Sequence, residues 1–355
     1  MGNISNIAAI RSPAFIFILS ILFCTVLLVS ERMVGIGWDY HPDAKYYLKV
    51  AETVETLETV ETVETVETVE TVETVETVET VETVETSPLF HIFFGSILYQ
   101  EIVNALGNNL TYAIAFNVFL YAITNVGLVN FYFKNITPSE NNGILILLFI
   151  LVVLNPYRAH VAIHVLKDTL IIFSLTFAIL GSRTVSLISI VVLYFTSARS
   201  LIYLLALFDF NKKNVLIFTA LFIISLLIVP EIFTSAISMG RFDMNFRDYD
   251  LIPNFLDYGD LAPFLRFIVW PFFFLSGLFS VFNPYSLFLP VALGSFALQY
   301  WCFKQYNKFA FNSSIYITMG LMAFLVSGFT SYARYALPLL TVLPILIIKK
   351  QLKSA

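Results

Sequence analysis

Three short stretches of the sequence gather residue types that can carry chemistry. The first is Trp38-Asp39-Tyr40-His41-Pro42-Asp43, two carboxylates four residues apart among aromatic side chains. Pro42 biases His41 away from helix and suits the first position of one. A helix is therefore expected from Pro42, with Ala44, Tyr47, Leu48 and Ala51 along one side of it. Asp43 would fall in its first turn, where the dipole favours a carboxylate. Asp39 would stand ahead of it, in a loop, where it could serve as a general base. Either is a candidate catalytic carboxylate.

The second stretch runs from Asn155-Pro156-Tyr157-Arg158-Ala159-His160 through His164 to Lys167-Asp168. On one continuous helix His160, His164 and Asp168 would share a face at i, i+4 and i+8, a metal-ligand spacing, although such groups more often serve as hydrogen-bonding residues. No metal is assigned from this pattern, and a divalent ion is left open. Lys167-Asp168, at the mouth of an apolar run, is more informative, because charges at membrane depth are costly and have a partner or a ligand. The third feature is a set of arginines, Arg199, Arg241, Arg247, Arg266 and Arg334, which with Arg158 and Lys167 makes seven cations. Guanidinium forks bind phosphate oxygens in pairs, so the set suits a phosphorylated ligand. The competing expectation is pairing with Asp243, Asp248, Asp250, Asp257 and Asp260.

The elements that must position these residues are set by hydropathy. Of 355 residues, 58% are hydrophobic and 13% charged, far from the roughly 45–50% and 25% of soluble domains. An all-α, polytopic membrane protein of about ten transmembrane helices is expected. Apolar runs mark spans near 13–30, 110–133, 143–155, 166–181, 184–197, 200–209, 214–230, 287–303, 314–331 and 335–348. Residues 13–30 are an uncleaved first span, since no small-x-small cleavage site follows. Lysines and arginines near the span ends place both termini in the cytoplasm of a cell (inner or plasma) membrane. The stretches 88–106, interrupted by Glu101, and 265–282, interrupted by Pro271, must then lie along or dip into the outer face. Two long external loops, 31–109 and 231–286, remain, carrying short surface helices; that of Pro42 would rest on the membrane surface.

The formal charge of −5 misleads, because 12 of the 25 acidic residues lie in one tract of iterated Glu-Thr-Val, residues 52–86. Without them the chain has 20 basic against 13 acidic residues. A three-residue period does not match 3.6, so the valines form no single apolar face and a solvated insert is expected. Cys24 and Cys302 lie in apolar runs and read as core residues.

The chain resembles the multi-pass GT-C class of glycosyltransferases and the O-antigen or capsule polymerases of bacterial envelopes. The resemblance is carried by Trp38-Asp39 through Asp43-Ala44-Lys45-Tyr46-Tyr47, by Ser87-Pro88-Leu89-Phe90-His91, Leu166-Lys167-Asp168, Ser197-Ala198-Arg199 and Tyr332-Ala333-Arg334-Tyr335-Ala336-Leu337-Pro338. It implies glycosyl transfer on the outer face from a polyprenyl phosphate or pyrophosphate donor to a glycan hydroxyl. Asp39 or Asp43 would be the base. Arg158, Lys167, Asp168, Arg199 and Arg334 would bind phosphate and substrate, or Arg241 and Arg247 of the second loop if the polymerase pattern holds. The lipid bilayer, the lipid-linked donor, the acceptor and other envelope glycan-assembly proteins are the implied partners; nucleic acid is not among them, and no cofactor is required. The alternatives are a transporter or flippase of lipid-linked glycans and a non-catalytic membrane subunit.

Overall fold

In the computed structural model the described residues are 12–37, 96–135, 142–207, 313–325 and 329–354, with the single positions 44, 47, 48, 267, 268, 270 and 297. Among them there is no strand. The helices are α1 (Pro13–Met33), α2 (Ile97–Ala105), α3 (Leu110–Asn135), α4 (Asn142–Val153), α5 (Pro156–Ala162), α6 (Asp168–Leu180), α7 (Arg183–Thr196), α8 (Ser313–Leu325) and α9 (Phe329–Ser354), with a 3-10 segment, Ala198–Leu207, between α7 and α8. The expected spans near 214–230 and 287–303, the Glu-Thr-Val tract and most of both long loops lie outside the described residues.

Among the described residues two helices, α1 and α3, are long and apolar enough to cross a membrane. At 1.5 Å per residue they reach about 31 and 39 Å, against about 30 Å of hydrocarbon. Shorter apolar helical stretches accompany them, Arg334–Leu346 within α9 among these, so the all-helical character is as expected while the count of ten spans is not confirmed among the described residues. At nine residues, α2 is too short to cross, and its Glu101 is exposed.

Polarity in α1 runs the opposite way from a water-facing helix. Its buried stripe is Ile16, Ser20, Cys24 and Glu31, whereas Phe15, Ile18, Leu22, Val26, Val29 and Met33 point outward. Even the exposed hydroxyls of Thr25 and Ser30 donate to carbonyls four residues back, at 2.9 and 2.8 Å. Buried Ser20, Thr124, Thr176, Thr318 and Thr341 do the same, which satisfies a hydroxyl without water. In α3 the inward stripe is Asn117, Tyr121, Asn125, Leu128 and Tyr132, at helical spacing.

Almost every residue of α6 is buried. It packs against α7, α3 and α9, while α1 packs along α3. Gly181 closes the turn from α6 to α7: a Cβ there would meet the Phe177 carbonyl and Val185 at 2.6 Å, so no larger residue fits without moving backbone. At the same end the Lys349 ammonium donates to the Ile179 carbonyl, placing a cation on the negative end of the α6 dipole.

Candidate functional site

The chain breaks helix between α5 and α6, and the candidate site is built on that break. Asn155 caps α5, accepting from the Arg158 amide at 3.0 Å, and Pro156 follows at the first helical position. Residues 163–167 are irregular and buried. Backbone in that state needs partners from the protein. Asn117 of α3 supplies them: its Nδ2 donates to the carbonyls of His164 at 2.8 Å and Leu166 at 3.2 Å, and contacts Tyr99 Oη at 2.9 Å.

Asp168 starts α6 and is fully buried. Arg334 of α9 donates to its Oδ2 from Nε at 3.0 Å and from Nη2 at 2.8 Å. With both bonds on one oxygen, Asp168 Oδ1 is buried without a hydrogen-bond partner. The Arg199 guanidinium, from the 3-10 segment, lies 4.1 Å over the Tyr335 ring and donates to its hydroxyl, and Arg334 lies 5.7 Å from the same ring. The Tyr203 hydroxyl donates to the Tyr335 carbonyl. Pro338, inside α9, removes the amide that would bond the Arg334 carbonyl, which loosens the turn carrying Arg334 and Tyr335. Lys167, buried, sits at the cap position of α6.

Arg158 engages different elements. Its Nη2 donates to Asn125 Oδ1 at 2.8 Å and its Nη1 to the Val152 carbonyl at 3.2 Å, with the Tyr121 ring 5.1 Å away. Asn125 in turn donates to Ser20 Oγ of α1 at 3.1 Å. Desolvation by burial pushes the guanidinium below its usual value.

The arrangement of His160, His164 and Asp168 differs from the expected one. The helix does not continue through 163–167, so Asp168 does not share a face with the histidines and is held by Arg334 instead. Its place is taken by Glu31 of α1: Oε1 lies 2.7 Å from His160 Nδ1 and Oε2 lies 3.0 Å from His164 Nε2. All three residues are at most 3% exposed. Burial lowers the pKa of His160 below that of a free imidazole, opposed by its bond to Glu31. Among the described residues, these three form a group able to hold a metal ion. Glu31 was legible only as a charge closing an apolar run, a pattern that points to a partner without naming it.

Asp39, Asp43, Arg241, Arg247 and Arg266 lie outside the described residues, but the helix expected after Pro42 is represented by Ala44, Tyr47 and Leu48. Of its expected apolar side, Ala44 and Tyr47 face protein. Ala44 and Tyr47 are buried in one cluster with Tyr99, Val103, Val165 and Leu170, the Tyr47 and Tyr99 rings 5.0 Å apart. That cluster flanks Lys167-Asp168 on both sides in sequence. Comparison with protein-family models, curated proteins and solved structures gives no match to this chain.

Proposed function

We propose that the protein is a multi-pass membrane glycosyltransferase or polymerase of surface polysaccharide, with about ten spans and cytoplasmic termini, acting on the outer face on a polyprenyl-(pyro)phosphate-linked sugar. The observation that carries this reading is the centre formed by Asp168, Arg334, Arg199 and Tyr335. Residues 136 and 166 apart in sequence meet there around a buried carboxylate with one unengaged oxygen. Lys349 and Gly181, at the other end of α6, fit a cytoplasmic side.

In the reaction, an acceptor hydroxyl attacks the anomeric carbon of the donor. The new glycosidic C–O bond forms as the bond from that carbon to the phosphate oxygen breaks, and the electron pair leaves on phosphate. The hydroxyl proton passes to Asp39 or Asp43, close in sequence to Ala44 and Tyr47, which pack in one cluster with Val165 and Leu170. Arg199, Arg334 and Lys167 stabilise the departing charge, a contribution of about 3–4 kcal/mol for a well-placed donor. Asp168 Oδ1 accepts from a sugar hydroxyl and orients it. Arg241 and Arg247 would bind the growing glycan in the polymerase form of the reaction.

One observation favours a transporter or flippase of the same lipid-linked glycan. A helix broken at 163–167 beside charged groups is the construction that transporters use for a midplane site. Glycan profiling separates the two in a deletion strain complemented with wild type, Asp168→Asn, Arg199→Ala, Arg334→Ala, Asp39→Ala or Asp43→Ala, with membrane expression checked by blot. Transfer predicts lost polymer and lipid-linked units accumulating on the outer leaflet. Transport predicts the same units held on the inner leaflet. An unchanged glycan in every strain would overturn both.

A further inference from the structure

The three-residue cluster at the outer end of α1 has chemistry that neither reading uses. Glu31 presents each carboxylate oxygen to a different imidazole, through Nδ1 of His160 and Nε2 of His164, and the ligand atoms of all three lie within 4.8 Å of one another. The two rings are 4.6 Å apart and tilted by 59°, so they converge on the carboxylate and do not stack.

We propose that Glu31, His160 and His164 bind one divalent transition-metal ion of the zinc class. Two nitrogen donors and one carboxylate select borderline ions over magnesium or calcium, which take oxygen. Two imidazoles and a carboxylate are three of the four ligands of a tetrahedral ion, as in His2Glu sites. Bond lengths of about 2.0–2.2 Å place tetrahedral ligand atoms about 3.3 Å apart. The present spacings, 2.7 and 3.0 Å from the carboxylate oxygens to the imidazole nitrogens and at most 4.8 Å over all three groups, bracket that value. On binding, each imidazole offers the lone pair of its facing nitrogen and carries its proton on the other ring nitrogen, so a neutral imidazole changes tautomer and releases no net proton. The ion would tie the end of α1 to the 160–164 segment, immediately before the break that ends at Asp168. It is independent of whether the protein transfers or transports a glycan.

The test uses the full chain, purified in detergent or nanodiscs. Metal content after equilibration with Zn2+ and washing is expected at one equivalent per chain, and Co2+ substitution at the visible spectrum of a tetrahedral nitrogen and oxygen site. Glu31→Gln and the His160→Gln/His164→Asn pair are expected to weaken uptake at least tenfold. The chain has four histidines, so His41→Ala/His91→Ala is the control and must keep the metal. X-ray absorption at the zinc edge of the wild type is expected to show two imidazoles and no sulfur, and this reading does not depend on whether the variants fold. No uptake by monodisperse wild type, a shell without imidazole, or loss of metal in the His41/His91 variant would each overturn the proposal.

Discussion

Arg158 and Arg334 are both guanidinium groups inside an apolar bundle, yet their partners differ in kind. Arg158 is held by neutral acceptors, a carbonyl at the end of α4 and the Asn125 side chain, and through Asn125 it reaches Ser20 of α1. Arg334 is held by a carboxylate of which it uses one oxygen only. The first arrangement fastens α1, α3 and α4 together and has both terminal nitrogens committed. The second leaves acceptor capacity beside an aromatic ring that also carries Arg199. Within one chemistry, then, the neutral-partnered arginine reads as a fastening and the carboxylate-partnered one as a site.

The largest effect should come from cutting the second centre. Asp168→Ala removes the carboxylate under Arg334 and should cost about 3–5 kcal/mol, the range for breaking a buried ion pair, read as a lower melting temperature in detergent. The double variant Asp168→Ala/Arg334→Met should recover most of that loss while remaining inactive. A double variant as damaged as the single one would mean that the pair is not the unit, and the contrast with Arg158 would fail.

Next comes Arg158→Met, which orphans Asn125 Oδ1 and the Val152 carbonyl. At about 1–3 kcal/mol per unsatisfied buried acceptor, a loss of about 2–6 kcal/mol is the upper range for the two, reduced by the desolvation that the missing charge no longer suffers. Glycan assembly should fall only in proportion to the folded fraction. A melting temperature that rises would show that desolvating the charge costs more than its hydrogen bonds return. Asn117→Leu should follow at about 1–3 kcal/mol, with faster amide hydrogen exchange confined to residues 163–168, because the two carbonyls it satisfies belong to the break.

Much of this frame was readable from the sequence wherever one physical rule dominated. The apolar runs at 13–30, 110–133 and 184–197 became α1, α3 and α7 with ends within a few residues, since hydropathy sets those boundaries. Asn155-Pro156 gave a helix start because capping and a fixed φ act locally. The sequence misled where the answer depended on contacts far along the chain. His160, His164 and Asp168 fit a helical period, but the period has no knowledge of Asn117, which makes the break at 163–167 affordable by bonding its carbonyls. Glu31 lies 129 and 133 residues from its imidazoles, and Arg334 lies 166 from Asp168. That Ala44 and Tyr47 are covered by Tyr99, Val103, Val165 and Leu170 was not legible, because an apolar helix side looks the same whether lipid or protein covers it.

The most discriminating prediction concerns Tyr335, which receives Arg199 both on its ring and at its hydroxyl. Tyr335→Phe keeps the ring and deletes the acceptor; Tyr335→Leu deletes both. A hydrogen bond to a charged group contributes about 1.5–3 kcal/mol and a desolvated cation over a ring about 2 kcal/mol, so neither loss can be dismissed in advance. If the ring face positions Arg199 for a phosphate, the phenylalanine variant should retain most polymer in the glycan profile and the leucine variant should lose it. If the hydroxyl positions it, both should lose polymer equally, at similar membrane expression. Equal retention in both variants would remove Tyr335 from the site and leave Asp168 and Arg334 to define it alone.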